Sequence, residues 1–430
     1  MDVRKKAYHI LMDICIHKKY SHLVVKESLK KVNMKDKGLI SNIVYGTLQN
    51  YRLLTYQWAS FCEKPLKKEM ELLMNMSVYQ LLFLDRVPNY AVVNDAVEIA
   101  KGKYDGKFEK LINALLRKSI KQGIRKIESS DDEKLSIETS MPLWIVKMWN
   151  KQYGESVSAK LCRDSLLTPT QSLRVNTIKT SKKELLSISG LYREGLLGKD
   201  ALLFCGKGSV AATNTHFRDG KISIQDEASQ LVAPFLDPQK DEYILDMCAA
   251  PGSKTGHIAA LMKNTGKIIA LDLHAHRVDL IKASMRRLGC IHVDAFLLDA
   301  TQVSKHYEVA SFDRVLLDAP CSGYGVLKRK GDIKFHMKSE DMDGIIETQA
   351  SLLEEGAKMV KPKGIFVYST CTLNKKENEQ QIAKFLSKHG EYCLLEEKTI
   401  FPYEHNCDGF YMAKMQNIQD KTIQRKIKMI

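Results

Sequence analysis

At 430 residues the chain exceeds the roughly 250–300 residues that one hydrophobic core usually serves, so two or three domains are expected. Its 44% hydrophobic and 27% charged residues exclude a fibrous or intrinsically disordered protein, and a net charge of +15 points to a polyanionic partner whose phosphates Lys and Arg would neutralise. The ten cysteines form no C-x-x-C pair, which argues against a zinc knuckle or a secreted disulfide framework, and no metal is expected.

The chain opens MDVRKKAYHILMDICIHKKY, where His9, Asp13 and His17 interrupt the apolar residues at helical spacing. That pattern reads as an amphipathic helix rather than an export signal. No run of about 18 apolar residues follows, so no membrane partner and a cytoplasmic location are expected. Across 1–127 apolar residues recur with helical period: Ile10, Leu11 and Ile14; Leu39, Ile43 and Val44; Leu81, Leu82 and Leu84; Leu111, Leu115 and Leu116. The prediction is an all-α domain with turns at Pro65, at Pro88-Asn89 and at GKYDGK (102–107). Residues 1–130 carry 24 Lys+Arg against 13 Asp+Glu. This third is therefore the expected docking surface, set against the plainer reading of a solvated lysine-rich face.

The polar run ESSDDE (128–133) predicts a linker over 128–139. From 140 to 235 a helix around Trp144–Tyr153 accompanies the β-prone pieces SLRVNTI (172–178) and KISIQ (221–225), which predicts a small α+β domain. From 236 to 430 strands at 243–247, 267–273, 295–299, 313–318 and 364–370 alternate with helix-length segments. Short, nearly continuous apolar strands of this kind predict an α/β domain whose parallel sheet is covered on both faces. Ligands of such sheets bind beyond the carboxyl ends of the strands, where strand order reverses. The basic end QRKIKMI (424–430) has no assigned role.

Five features sit at such strand ends. In DMCAAPGSKTGH (246–257) the small residues Ala249, Ala250, Gly252 and Ser253 let backbone pass close to a ligand at a helix start. It is neither G-x-G-x-x-G nor a phosphate loop, so a carboxylate-bearing nucleoside such as S-adenosylmethionine suits it better than a dinucleotide. Asp272, 20 residues after Gly252, stands where a carboxylate would accept hydrogen bonds from ribose, and Asp299 could meet an adenine edge. Each alone reads as a helix cap, but three at successive strand ends, 272, 299 and 318, argue for a site. Cys321 in DAPCSG (318–323) and Cys371 in STCT (369–372) each follow an apolar strand. If those strands are neighbours, the two thiols share one cleft; the inert alternative is a pair of packed small hydrophobes.

Together DMCAAPGSKT, LLDAPCSGYGVLKRKGDIKF (316–335), FVYSTCTLNKKENE (366–379) and DGFYMAK (408–414) resemble the RNA cytosine-5 methyltransferases of the Sun/NOL1/NOP2 family, most nearly its bacterial members that act on small-subunit ribosomal RNA. The segments 71–101 and LINALLRK (111–118) are similar to the family's NusB-like helical RNA-binding domain, and QDEASQLVAPFLDP (225–238) to the stretch leading into its catalytic domain. The resemblance implies a Rossmann-like methyltransferase domain (236–430) preceded by an all-α NusB-like domain (1–127) and a small α+β RNA-binding domain (140–235). It implies S-adenosylmethionine as cofactor, C5 of a cytosine in 16S ribosomal RNA before full subunit assembly as target, and a monomer, with the same chemistry on transfer RNA as the alternative. It implies Cys371 as nucleophile, Cys321 in product release, and cofactor contacts from Cys248, Ala249, Ala250, Pro251, Gly252, Ser253, Lys254, Asp272, Asp299 and Asp318. Ser253 departs from the family, which has a second glycine there; binding is expected to survive unless φ at 253 is positive.

The chemistry accounts for the thiols. C5 of cytosine is a poor nucleophile until a thiolate adds to C6, and covalent catalysis divides that hard step in two. Asp318 could hold a proton on ring N3 and make the ring more electrophilic. Two other readings stay open: Cys321 as nucleophile, as in DNA cytosine-5 methyltransferases, and an antitermination-like RNA-binding module with a vestigial enzyme domain.

Overall fold

The computed structural model describes residues 2–104, 108–206, 208–336 and 338–419. Residues 102–104, expected in a turn, continue the helix Asn89–Tyr104; 105–107 and the basic end 424–430 lie outside the described residues. Two compact units are formed, one by 2–167 with 327–336 and one by 168–326 with 338–419.

The first unit is all-α, as the helical period predicts. Its helices Val3–Cys15, Met34–Gln49, Tyr51–Ala59, Lys68–Phe83, Asn89–Tyr104 and Glu109–Gln122 pack around Ile10, Leu11, Ile14, Ile43, Val44, Leu73, Leu115 and Leu116. Lys68–Phe83 is buried along most of its length, and Asn75 is satisfied inside by Trp58 Nε1 at 2.7 Å and Thr55 Oγ1 at 2.8 Å. Where a linker over 128–139 is expected, Asp131–Glu138 is a helix. Its three leading acids suit a helix N-terminus, so a polar run that reads as loop caps a turn instead. Helices Leu143–Tyr153 and Glu155–Asp164 follow, and 140–167 fall in this unit rather than with the sheet of the small α+β region.

Residues 327–336 reach the same unit from the catalytic half of the sequence. Lys328 Nζ lies 3.0 Å from Asp164, both side chains nearly inaccessible. Lys334 Nζ donates to Thr139 O and Ser165 Oγ, both at 3.1 Å, and burial lowers it to about 8. Phe335 stands edge-on to Tyr51.

The second unit holds two sheets. Strands β1 (Ser172–Val175), β2 (Tyr192–Glu194), β3 (Ala201–Phe204) and β4 (Ile222–Ile224) form a small sheet of order β2-β3-β1-β4, antiparallel at each pairing. It is fastened to the larger sheet's helices: Asn176 Nδ2 donates to Leu288 O at 2.8 Å, and Lys179 Nζ to Arg287 O at 2.7 Å. At Gly220, φ +74, an added Cβ would fall 1.8 Å from Arg287 O, so the close approach requires glycine.

The larger sheet contains β5 (Tyr243–Asp246), β6 (Lys267–Asp272), β7 (Val293–Leu297), β8 (Phe312–Asp318), β9 (Val360–Thr370), β10 (Tyr392–Ile400) and β11 (Phe410–Asn417), in the order β10-β11-β9-β8-β5-β6-β7. The five predicted strands pair in parallel; β11 and β10 then extend the sheet antiparallel, so it is mixed rather than wholly parallel. Alternate residues feed two cores: Ile244, Ile268, Ala270 and Leu316 on one face, Leu245, Ile269, Leu271 and Leu317 on the other. With both faces covered, the strands read as unbroken apolar runs. The chain winds from β5 out to β7 and returns to β8 on the other side of β5, so strand order reverses there, above the carboxyl ends of β5 and β8. Among the described residues no helix is long and apolar enough to cross a membrane.

Candidate active site

Strands β8 and β9 run side by side with Asp318 opposite Ser369. Cys321 lies three residues beyond the first and Cys371 two beyond the second, so the register brings both thiols to the same end of the sheet. Their sulfurs are 3.5 Å apart and both residues are partly exposed. The Cys371 sulfur, with burial, pushes the Cys321 thiol well above its usual range.

Asp318 is fixed from two sides. Its Oδ2 accepts from Lys254 Nζ at 2.7 Å and its Oδ1 from Ser369 Oγ at 2.9 Å. Burial disfavours the Lys254 ammonium, but the Asp318 carboxylate, reinforced by Cys371, outweighs that and raises its pKa. The Lys254 charge also faces the Phe410 ring, 5.2 Å from its centroid. Each carboxylate oxygen accepts more than one bond, so Asp318 can meet a further donor without losing these.

The loop after β5 crosses Cys248, Ala249 and a cis Ala250–Pro251 bond to Gly252, then enters the helix Ser253–Leu261. Gly252 has φ +93, and an added Cβ would sit 3.1 Å from Met285 Cε and 3.4 Å from Ile281 Cα. Backbone in that conformation against that wall, followed by the open N–H groups of a helix start, forms a cradle for a carboxylate-bearing ligand. Ser253 has no positive φ, so the condition on which its substitution for glycine would have mattered is not met. The Cys248 thiol is pushed far up by burial, which fits a packing role for its side chain.

Asp272, at the end of β6, accepts from His274 N at 3.1 Å and pairs with Arg277 at 3.2 Å; the carboxylate is buried while the guanidinium is 44% exposed and also donates to Ala250 O at 3.4 Å. Asp299 caps the 3-10 helix Ala300–Lys305, accepting from Thr301 N at 3.0 Å and Thr301 Oγ1 at 2.7 Å. Both of these bonds are to Oδ1.

Two features escaped the sequence reading. Asp246, at the end of β5, is fully buried with Thr255 Oγ1 at 2.7 Å, and burial raises its pKa to about 7. A fourth aspartate at a strand end was visible in DMCAAPG but passed as part of the loop. The other is Glu377, which lies in the charged run KKENE and is wholly buried. Among the described residues no cluster of His, Cys, Asp or Glu forms a metal site.

Comparison with known proteins bears on this geometry. The family model of the 16S rRNA methyltransferase RsmB/F matches 233–416, that of the NusB family 1–121, and that of an RsmF/B-like ferredoxin-like domain 141–191. A Bacillus subtilis protein called probable ribosomal RNA small subunit methyltransferase B is 39% identical over 96% of this chain and 98% of its own length. The chain belongs to the RsmB/F methyltransferase family. A Synechocystis protein of the same name is 32% identical over 97% of this chain and 99% of its own. Among solved structures, PH0851 shares the fold of this RsmB/F methyltransferase with a TM-score of 0.82 at 24% identity, over 96% of this chain and 98% of that one. A methyltransferase homolog from Pyrococcus horikoshii matches with a TM-score of 0.60 at 27% identity, over 67% of this chain and 100% of its own. The family resemblance carried by the four motifs, and the all-α, α+β and Rossmann-like order of the RsmB/F architecture, agree with these matches.

Proposed function

We propose that the protein uses S-adenosylmethionine to methylate C5 of a cytosine in 16S ribosomal RNA, through a covalent bond between Cys371 Sγ and C6 of the base. The observation that carries this reading is the 3.5 Å approach of the Cys321 and Cys371 sulfurs beside the Asp318–Lys254 pair. The names of the Bacillus and Synechocystis relatives support small-subunit ribosomal RNA as the substrate and, with it, a cytoplasmic site of action.

Residues 248–254 and Asp272 would hold the cofactor, with Asp299 at the adenine end; when bound it supplies an electrophilic methyl group. Cys371 adds to C6 as a thiolate, favoured by the Lys254 charge and by an S–H from Cys321. Asp318 holds a proton on N3, so the electrons displaced by the addition collect on the ring and make C5 nucleophilic. Once C5 carries the methyl, solvent water takes the C5 proton, the C5–H bonding pair restores the C5–C6 double bond, and the C6–S bonding pair returns to Cys371. Cys321, whose sulfur faces that of Cys371 at 3.5 Å, assists this departure. The target cytosine has to be unstacked for C6 to be reached, which favours a loop over a duplex.

The test is transfer of labelled methyl from S-adenosylmethionine to purified 16S and transfer RNA, with bisulfite sequencing of the product. Label at one unpaired cytosine of 16S RNA is expected. Label on transfer RNA alone, or on no cytosine, would sink the proposal.

A further inference from the structure

The two cysteines sit on separate loops, and something has to hold their sulfurs together. The residue after each is the link. Thr372 Oγ1 lies 2.6 Å from Ser322 Oγ, and Ser322 Oγ donates to Glu377 Oε1 at 2.5 Å. With its one proton so used, Ser322 accepts from Thr372, which in turn accepts from Tyr324 N at 3.2 Å. Glu377 Oε2 takes Ser322 N at 2.9 Å and Gln349 Nε2 at 3.1 Å, while Asn374 Nδ2 donates to Oε1 at 2.9 Å. Gln349 Nε2 also holds Pro320 O at 2.9 Å. All of these side chains except that of Ser322, which is 3% exposed, are fully inaccessible.

Four neutral donors converging on one buried carboxylate is an arrangement only an acceptor on both oxygens satisfies. Its position relative to the sulfurs gives it a task beyond packing, because it fixes residue 322 directly and residue 372 through one hydroxyl. We infer that Glu377 is a positioning residue that sets the separation of Cys321 and Cys371 and thereby controls release of the methylated base. The inference rests on the proposed roles of those cysteines. Glu377 touches neither sulfur; it acts through Ser322 and Thr372.

Glu377→Gln has the same shape but cannot accept on both sides. With its NH2 toward Ser322 N, a donor meets a donor that cannot turn; with its NH2 toward Ser322 Oγ, the hydroxyl has to reverse and the link to Thr372 changes. The experiment compares Glu377→Gln, Cys321→Ala and the double variant on ordinary RNA. It reads kcat, KM, cofactor affinity by calorimetry, and the fraction of protein covalently attached to RNA on a denaturing gel. Expected for Glu377→Gln is a fall in kcat of about 10²-fold, the scale of a small misplacement of reacting groups, with KM and cofactor affinity unchanged and attached RNA accumulating as in Cys321→Ala. In the double variant the two effects should not multiply, because both act at one step.

Undiminished kcat in Glu377→Gln, or effects that multiply with those of Cys321→Ala, would overturn the inference. Should Glu377→Gln not fold, Thr372→Val removes the same link and carries the same expectation and the same refutation. Failure of the underlying reading shows separately, as RNA still attached covalently to Cys371→Ala.

Discussion

Lys254 Nζ lies 2.7 Å from Asp318 Oδ2 and so ties the loop after β5 to the end of β8. The loop expected to cradle the cofactor and the residue expected to meet the base are thereby one electrostatic unit. Lys254→Met leaves the Asp318 carboxylate without its cation. Losing a hydrogen bond to a charged group lowers stability by about 1.5–3 kcal/mol, and methyl transfer should fall with it. Thermal melting and turnover of this variant measure both; normal turnover would show that the pair is incidental.

Gly252 and the adjacent Ser253 make opposite predictions. Gly252→Ala forces a Cβ onto a residue at φ +93 and against Met285 and Ile281, so stability should drop by about 1–2 kcal/mol and S-adenosylmethionine affinity with it. Ser253→Gly, which restores the family's usual residue, should leave affinity nearly unchanged, because the helix start does not require positive φ there. Calorimetry on both variants decides, and a large gain from Ser253→Gly would contradict the geometry.

Asp246 gives the folded state a distinctive pH dependence. It holds its proton to about pH 7 in the folded protein and releases it near 3.9 when unfolded. Between those values the native state binds the extra proton, so stability contributed by this group declines as pH rises, by at most about 1.4 kcal/mol per pH unit, and levels off above 7. Urea melts of wild type and Asp246→Asn between pH 4 and 8 should diverge along that slope. A pH-independent difference would mean that Asp246 is ionised throughout.

In the helical unit, Asp164→Ala removes the carboxylate 3.0 Å from the buried Lys328 ammonium and should destabilise by up to about 3–5 kcal/mol. The double change Asp164→Leu with Lys328→Met should recover most of that loss, since an apolar pair of similar volume avoids the desolvation of both charges. Denaturant melts of the single and double variants check this. Equal losses in both would show that the pair is strongly stabilising in itself.

The parallel core of the sheet was readable because strands covered on both faces carry consecutive apolar residues, as Ile244-Leu245 in YILDM and Val315-Leu316-Leu317 in DRVLLD. Strand β10 was not, since it is an edge strand with LLEEKT largely exposed, and exposed edges carry no such run; β11 was missed although FYMAKMQN is mostly buried. In the helical unit the period was legible but the phase slipped by one: Leu111 is 37% exposed, and Ile112 beside it is the core residue. The linker reading of ESSDDE failed because acids favoured in loops are equally favoured in a first helical turn. At the candidate site, Cys321, Cys371, Asp272 and Asp318 stand at or just beyond the strand ends to which the sequence pattern points. Glu377 stayed hidden because its partners, Ser322, Gln349 and Asn374, come from separate parts of the chain, and only folding brings them to one carboxylate.

The most direct test is to trap the enzyme on a 5-fluorocytosine RNA, where the C5 fluorine cannot leave as the proton does, and to map the modified peptide by mass spectrometry. The account predicts the nucleotide on the peptide carrying Cys371, absent in Cys371→Ala and present in Cys321→Ala. A nucleotide attached to Cys321 in the wild-type protein would contradict it.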